Sequence, residues 1–218
     1  MADQSLDIRN SPLVPIRSLG DAHRGRIATH LLALDAQDRY LRFGYSATDE
    51  HVQRYVADLD FERDEIFGIF NRRLELIGMA HLAFIHDPSG PAGAEFAVSV
   101  LKTARGRGYG ARLFDRAVMH ARNEGVELMF IHALSENTAM LKIARNAGAR
   151  LERAGSETEA YLRVPPATLD SRVSELLEEQ VAQTDYQIKA QAKHVRDFFA
   201  SVQEIRRGAS HARGKSGR

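Results

Sequence analysis

Between Ala94 and Arg112 the chain reads Ala-Glu-Phe-Ala-Val-Ser-Val-Leu-Lys-Thr-Ala-Arg-Gly-Arg-Gly-Tyr-Gly-Ala-Arg. An alternating apolar strand runs into a basic turn with three glycines and then into an amphipathic helix. Glycine has no Cβ, so Gly106, Gly108 and Gly110 let the backbone turn sharply and bring bare amide N–H groups up to a ligand. Arg105, Arg107 and Arg112 add positive charge. A helix that starts near Gly110 leaves its first amide donors unpaired and turns its positive dipole end towards the loop, which favours a phosphate. Arg105, Gly106, Arg107, Gly108, Tyr109, Gly110 and Ala111 are therefore expected to grip a pyrophosphate.

Gly106-x-Gly108-x-x-Ala111 also satisfies the loose dinucleotide pattern of the Rossmann fold, which would predict NAD as ligand. In that fold the first glycine closes a buried parallel strand. Here Lys102, Thr103, Ala104 and Arg105 intervene, and the strand is only half apolar. The strands expected at Glu65–Phe70, Leu74–Ile85 and Ala94–Leu101 follow one another without crossover helices, which predicts antiparallel pairing. No Gly-Lys-Ser/Thr follows the turn, which excludes a P-loop.

Arg105-x-x-Gly108-x-Gly110, at a strand-to-helix junction, resembles the acetyl-CoA signature of the GNAT superfamily of N-acetyltransferases. The strand ahead of it carries Val98-x-Val100. A second block follows: a helix over Ala111–Asn123, a strand over Glu127–Leu134, Glu136-Asn137, a short helix over Thr138–Asn146, and Gly148. Arg39–Phe43 (Arg-Tyr-Leu-Arg-Phe) and Ala94–Val98 (Ala-Glu-Phe-Ala-Val) are similar to a subgroup of that superfamily. The resemblance spans roughly residues 14–164. It implies a mixed, mostly antiparallel α/β sheet that is splayed and flanked by helices, with acetyl-CoA as cosubstrate, an amine acceptor and no metal. It also implies that the Val98 and Val100 backbone meets the thioester and the pantetheine arm, and that Asn137 contacts coenzyme A.

An amine must be uncharged before it can attack a thioester, so a general base is required. The resemblance gives that duty to Glu95, acting through a water. Enclosure by Ala94, Phe96 and Ala97 is expected to desolvate its carboxyl and raise its pKa. His81, His86 and His132 are reserve bases. The Val98 N–H would stabilise the oxyanion if the strand carries a bulge. The family's tyrosine acid, seven residues after the asparagine, is replaced by Ala144, which leaves Ser135, water or no acid to serve the thiolate. The reading is thus an acetyl-CoA-dependent N-acetyltransferase acting on a small-molecule amine or a protein lysine. The alternative is a noncatalytic coenzyme A-binding module that signals through its C-terminal helix.

The 218 residues carry a net charge of +1 and no cysteine. Disulfides, a cysteine nucleophile and thiolate metal sites are excluded, the nine histidines show no zinc spacing, and nothing points to specific nucleic acid binding. No run reaches membrane-spanning length and the first residues lack a signal-peptide core, so a cytoplasmic location is expected. Residues 1–13 read as an N-terminal arm and 14–164 as the transferase domain. Within that domain a strand is expected at Val14–Leu19 and helices at Asp21–Ala36 and Asp49–Leu59, followed by a turn at 86–93 and final strands at Arg150–Arg153 and Glu159–Val164. The acidic run Asp58, Asp60, Glu62, Asp64 and Glu65 reads as a solvated loop or as an attractor for a cationic amine. Past Pro165-Pro166, residues 165–206 read as a helical extension. Leu169, Val173, Leu176, Leu177 and Val181 form one apolar stripe, and Val195, Phe198, Phe199, Val202 and Ile205 another, for packing on the domain or on a second copy in a homodimer. Residues 207–218 read as a disordered basic tail.

Overall fold

A computed structural model of the protein describes residues 14–85, 92–155, 157–168 and 172–186. Its strands are β1 (Arg17–Ser18), β2 (Glu65–Phe70), β3 (Leu76–Ile85), β4 (Gly93–Val100), β5 (Leu128–Leu134), β6 (Arg150–Ala154) and β7 (Glu157–Arg163). They form one seven-stranded sheet in the order β1-β2-β3-β4-β5-β7-β6. Every neighbouring pair is antiparallel except β4 and β5, as the absence of crossover helices before β4 requires. The helices are α1 (Arg24–Leu32), α2 (Ala36–Phe43), α3 (Asp49–Ala57), α4 (Tyr109–Asn123), α5 (Thr138–Asn146) and α6 over residues 172–186.

Each face of the sheet buries its own apolar cluster. On one face Phe96 meets Phe114 of α4 edge-on, with ring centroids 5.0 Å apart, among Phe67, Leu113, Met129 and Ile131. On the other, Ile27 and Leu31 of α1 and Val52 and Val56 of α3 cover Ile66, Phe70 and Met79. Burying a side chain of this size contributes about 1.5–3 kcal/mol, so both helical layers are held firmly to the sheet.

The helix expected over Asp21–Ala36 is broken in two. Asp35 caps a fresh start, its carboxylate accepting from the Asp38 N–H at 2.9 Å, and Gly44, at φ 80°, ends the new helix α2 by donating to Tyr40 O. The Arg39–Phe43 motif therefore lies on a helix that the apolar pattern did not show. The first strand shrinks to two residues. β3 begins at Leu76 because Leu74, at φ 61°, belongs to the tight turn that Asn71 closes. Residues 86–91 of the expected turn lie outside the described residues, although β3 and β4 pair up to Ile85 and Gly93.

The C-terminal helix packs on the domain with its expected apolar stripe turned away. Val173, Leu176, Leu177 and Val181 are 55, 68, 62 and 41% exposed. The inward face carries Glu175, Glu179, Ala182 and Tyr186. Arg116, buried in α4, dictates this choice, since a buried guanidinium needs counter-charge. Its Nη1 donates to Glu175 at 2.6 Å and its Nη2 to Glu179 at 3.4 Å. His120 donates to the same Glu175 carboxylate, and Arg17 stacks over the Tyr186 ring at 3.9 Å. The second stripe, 195–205, and the basic tail lie outside the described residues.

Candidate active site

β4 and β5 are paired over three residues only, Gly93↔Leu128, Ala94↔Met129 and Glu95↔Phe130. Beyond them the strands part, because β4 stays zipped to β3 as far as Val100 and β5 to β7 as far as Leu134. Glu95 and Phe130 mark the apex of the resulting fork. The β3–β4 register is unbroken, so the bulge on which the Val98 donor was conditional is absent. Alternation serves in its place. Leu101 N–H donates to Ile77 O, which makes Leu101–Ile77 a bonded antiparallel pair and Ala80–Val98, three steps along, an unbonded one. The Val98 and Val100 backbone groups consequently face away from β3, into the fork. Ser99 anchors the strand from the opposite side: the buried His30 joins Ser99 Oγ through Nε2 and Leu76 O through Nδ1, both at 2.8 Å. Burial lowers the His30 pKa to about 4, so the ring is neutral and fixed.

The glycine turn opens beside the fork. A short 3-10 turn at Lys102–Ala104 leads into Arg105, whose Nε donates to Val100 O at 3.1 Å and whose Nη2 pairs at 2.7 Å with the buried Asp38 of α2. Arg105 thus supplies less free charge than its sequence position suggests, and instead braces the turn to α2. Arg107 is exposed and Arg112 partly so, while Tyr109 packs on the core. Gly106 and Gly108 stand at φ 75° and 73°, where a Cβ would meet nothing within 4 Å. The space before the first turn of α4, where Ala111 lies, is therefore open and lined by backbone. At Gly110 a Cβ would come to 3.3 Å from Ile143 Cδ1, so glycine lets α4 lie close to α5. Asn137 caps α5, its Oδ1 accepting from Met140 N–H at 3.2 Å, and its Nδ2 reaches towards Leu41 O of α2 at 3.5 Å.

Glu95 and Ala97 point to the face opposite Phe96. The expected enclosure of Glu95 is not found: Ala94 and Phe96 turn into the α4 core, and the Glu95 side chain is exposed. Beside it lies a set of groups that the sequence did not connect. His81, across from Ala97 on β3, meets Tyr55 Oη of α3 through Nδ1 at 2.7 Å and Asp64 Oδ2 through Nε2 at 2.9 Å. Arg42 of α2 donates to the same Tyr55 oxygen at 2.8 Å. Burial holds the His81 pKa below its usual value, against the opposing pull of Asp64 and Glu95. The only signal for Tyr55 and Asp64 in the sequence was their chemistry, because 26 and 17 residues separate them from His81.

The other reserve groups are placed elsewhere. His132 is exposed on β5 near Glu159 at 3.7 Å, Ser135 pairs with Thr158 at 2.8 Å, Ala144 is fully buried, and His86 lies outside the described residues. The acidic run is dispersed. Asp60 caps its own loop, Asp64 serves His81, and Glu65 approaches His120 on the opposite face.

A family model described as acetyltransferase (GNAT) family matches residues 22–149, more than half of the chain. The protein belongs to the GNAT acetyltransferase family. Solved structures agree on the fold. The GNAT domain of S. lividans PAT aligns with a TM-score of 0.57 at 21% identity over 68% of this chain and 89% of that one. A spermidine N-acetyltransferase from Vibrio cholerae, in complex with CoA and spermine, gives 0.55 at 16% over 70% and 96%. An N-acetyltransferase from Staphylococcus aureus Mu50 gives 0.54 at 15% over 69% and 98%. Among the described residues no helix is long and apolar enough to cross a membrane.

Proposed function

We propose that the protein is an acetyl-CoA-dependent N-acetyltransferase that moves the acetyl group to a primary amine, of a small molecule or a protein lysine, by direct attack. The observation that carries this reading is the fork. Strands held apart beyond Glu95 and Phe130 leave room for a thioester beside a backbone N–H that no neighbouring strand can use. The open left-handed glycines at 106 and 108 and the amide donors that begin α4 suit a diphosphate, so Arg105, Gly106, Arg107, Gly108, Tyr109, Gly110 and Ala111 would hold it. Val98 and Val100 would receive the pantetheine end. Asn137, whose Oδ1 caps α5 and whose Nδ2 reaches towards Leu41 O, would contribute through the second Nδ2 hydrogen.

In the reaction the donor supplies an activated acyl carbon. Glu95, at the fork's apex and open to water, takes a proton from the incoming ammonium through a bridging water. The Val98 N–H, fixed by the β3 ladder and already aimed into the fork, stabilises the oxygen that gains charge without reorganising. Buried Ala144 offers no acid to the departing thiolate, which leaves as the anion or takes a proton from water.

The outward stripe of α6 supports a homodimer formed through that helix, since four large apolar side chains in a row are more than scattered surface exposure. The cytoplasm suits a chain without cysteine. The reading is tested by thiol release from acetyl-CoA with a panel of primary amines, alongside calorimetry with coenzyme A and with NAD. Binding of coenzyme A together with amine-dependent thiol release is expected. Binding without release would favour the noncatalytic module, and binding of NAD in its place would restore the dinucleotide reading.

A further inference from the structure

We propose that Asp64, His81 and Tyr55 form a proton relay for the acceptor amine, with Tyr55 Oη as the group that touches the nitrogen and His81 as the store for its proton. This inference rests on the acetyltransferase reading and adds residues to its site.

The hydrogen-bond roles in the chain follow from its ends. Asp64 accepts only, so His81 Nε2 carries the hydrogen that lies between them at 2.9 Å. His81 Nδ1 is then the bare nitrogen, so the Tyr55 hydroxyl donates to it at 2.7 Å. Arg42 donates only, and its Nη2 bonds the Tyr55 oxygen at 2.8 Å. The Tyr55 proton is therefore already directed at a base, and the negative charge left on its oxygen already has a cation beside it. The Phe84 N–H donates to the other Asp64 oxygen at 3.3 Å, which keeps the carboxylate in place. A network needed for packing alone could use neutral partners. This one is a carboxylate, an imidazole, a phenol and a guanidinium in series, half-buried beside the fork.

Its position suits the task. His81 faces Ala97, two residues beyond the apex residue Glu95 and on the same side of β4, opposite the glycine turn's helix. α2, which carries Arg42, is tied to the glycine turn by the Asp38–Arg105 pair.

The proton count calls for a second acceptor. An ammonium that becomes a neutral amide gives up two protons from nitrogen, one before and one after the N–C bond forms and the C–S bond breaks. Glu95 accounts for one. For the other, the nitrogen's proton passes to Tyr55 Oη as the Tyr55 proton passes to His81 Nδ1, giving an imidazolium paired with Asp64. That proton then returns to solvent, and the departing thiolate takes up a proton of its own from water. The groups facing His81 are Tyr55, Asp64, Arg42 and Glu95; burial lowers its pKa first, so the ring is neutral and receptive at pH 7.

The test uses the full chain with the amine that gives the fastest thiol release. His81→Gln can accept from Tyr55 and donate to Asp64 but cannot hold a proton. It is expected to lower kcat about 100-fold with KM for acetyl-CoA unchanged, and to abolish the loss of rate expected of the wild type as pH falls through the lowered His81 pKa. Tyr55→Phe should lower kcat similarly, and it serves alone should the glutamine variant fail to fold. A kcat within threefold of wild type, or an unchanged acid limb in a folded His81→Gln enzyme, would overturn the relay while leaving the transferase reading intact. Coenzyme A binding with no release by wild type on any amine would overturn both.

Discussion

Replacing Gly108 by aspartate tests the phosphate grip through a position where protein and ligand consequences separate. At φ 73° the residue is left-handed, and a Cβ there has no protein atom within 4 Å. The folded state therefore feels only the backbone cost of an L-residue in that region, about 1–2 kcal/mol, which lowers the thermal midpoint by about 2–8 °C in a chain of this size. The ligand would feel more. A carboxylate about 4 Å from one phosphate charge is repelled by about 1–4 kcal/mol between bulk water and a protein surface. At one factor of ten for about 1.4 kcal/mol, calorimetry should show coenzyme A binding weakened roughly 5- to 700-fold. Gly108→Ala carries the strain without the charge, and should match the drop in midpoint with a much smaller loss of affinity. Undiminished affinity in Gly108→Asp, beside the expected fall in midpoint, would refute the placement of the diphosphate.

Glu95→Gln should reduce turnover at neutral pH by about 100-fold while leaving coenzyme A affinity intact, and unaltered turnover would remove Glu95 from the mechanism. Leu176→Glu with Leu177→Glu should convert a dimer to a monomer in light scattering without altering coenzyme A binding, whereas a wild-type chain that is monomeric at every concentration would dismiss the homodimer. Docking of α6 should depend on pH through two opposed groups. Burial works to raise Glu175, but hydrogen bonds from His120, Asn123 and Arg116 win and hold it at about 2, so its contribution is complete above 4.5 and fades as pH falls towards 2. Burial works to lower His120, but the Glu175 hydrogen bond and the Glu65 and Glu175 charges raise it above 6.5, so its contribution is complete below 6.5 and is lost as pH rises through the raised value. Protection factors over residues 172–186, exchange rates referred to the intrinsic rate at each pH, should accordingly be highest between pH 4.5 and 6.5, and a flat profile would contradict the pairing. Arg116→Ala, which deprives the half-buried Glu175 and Glu179 carboxylates of their guanidinium, should speed exchange in α6 and destabilise the protein by about 1.5–3 kcal/mol, read from denaturant unfolding.

The glycine turn, the helices that follow it and the antiparallel strands before it were legible in the sequence because each rests on neighbours in the chain. Glycine conformation, caps such as Asn137 and period-two alternation in β4 are local properties. Local rules also misled. Apolar spacing predicted one helix over Asp21–Ala36, where Asp35 starts a second. Of the two uses expected for the stripe of α6, packing on the domain falls to the acidic face that the buried Arg116 selects, because an uncompensated buried charge is costly, and the use by a second copy is left. Enclosure of Glu95 by its apolar neighbours failed for a related reason: in a strand, adjacent side chains point to opposite faces. Chain order alone determined which residues could turn, cap and alternate. Only the tertiary structure decided that β4 and β5 part after three pairs, that Val98 faces the gap without a bulge, and that His81, Tyr55 and Arg42 of three elements and Asp64 of a loop meet on one face. Long-range pairing depends on competition among all strands and helices for the same sheet, and no window of sequence contains that competition.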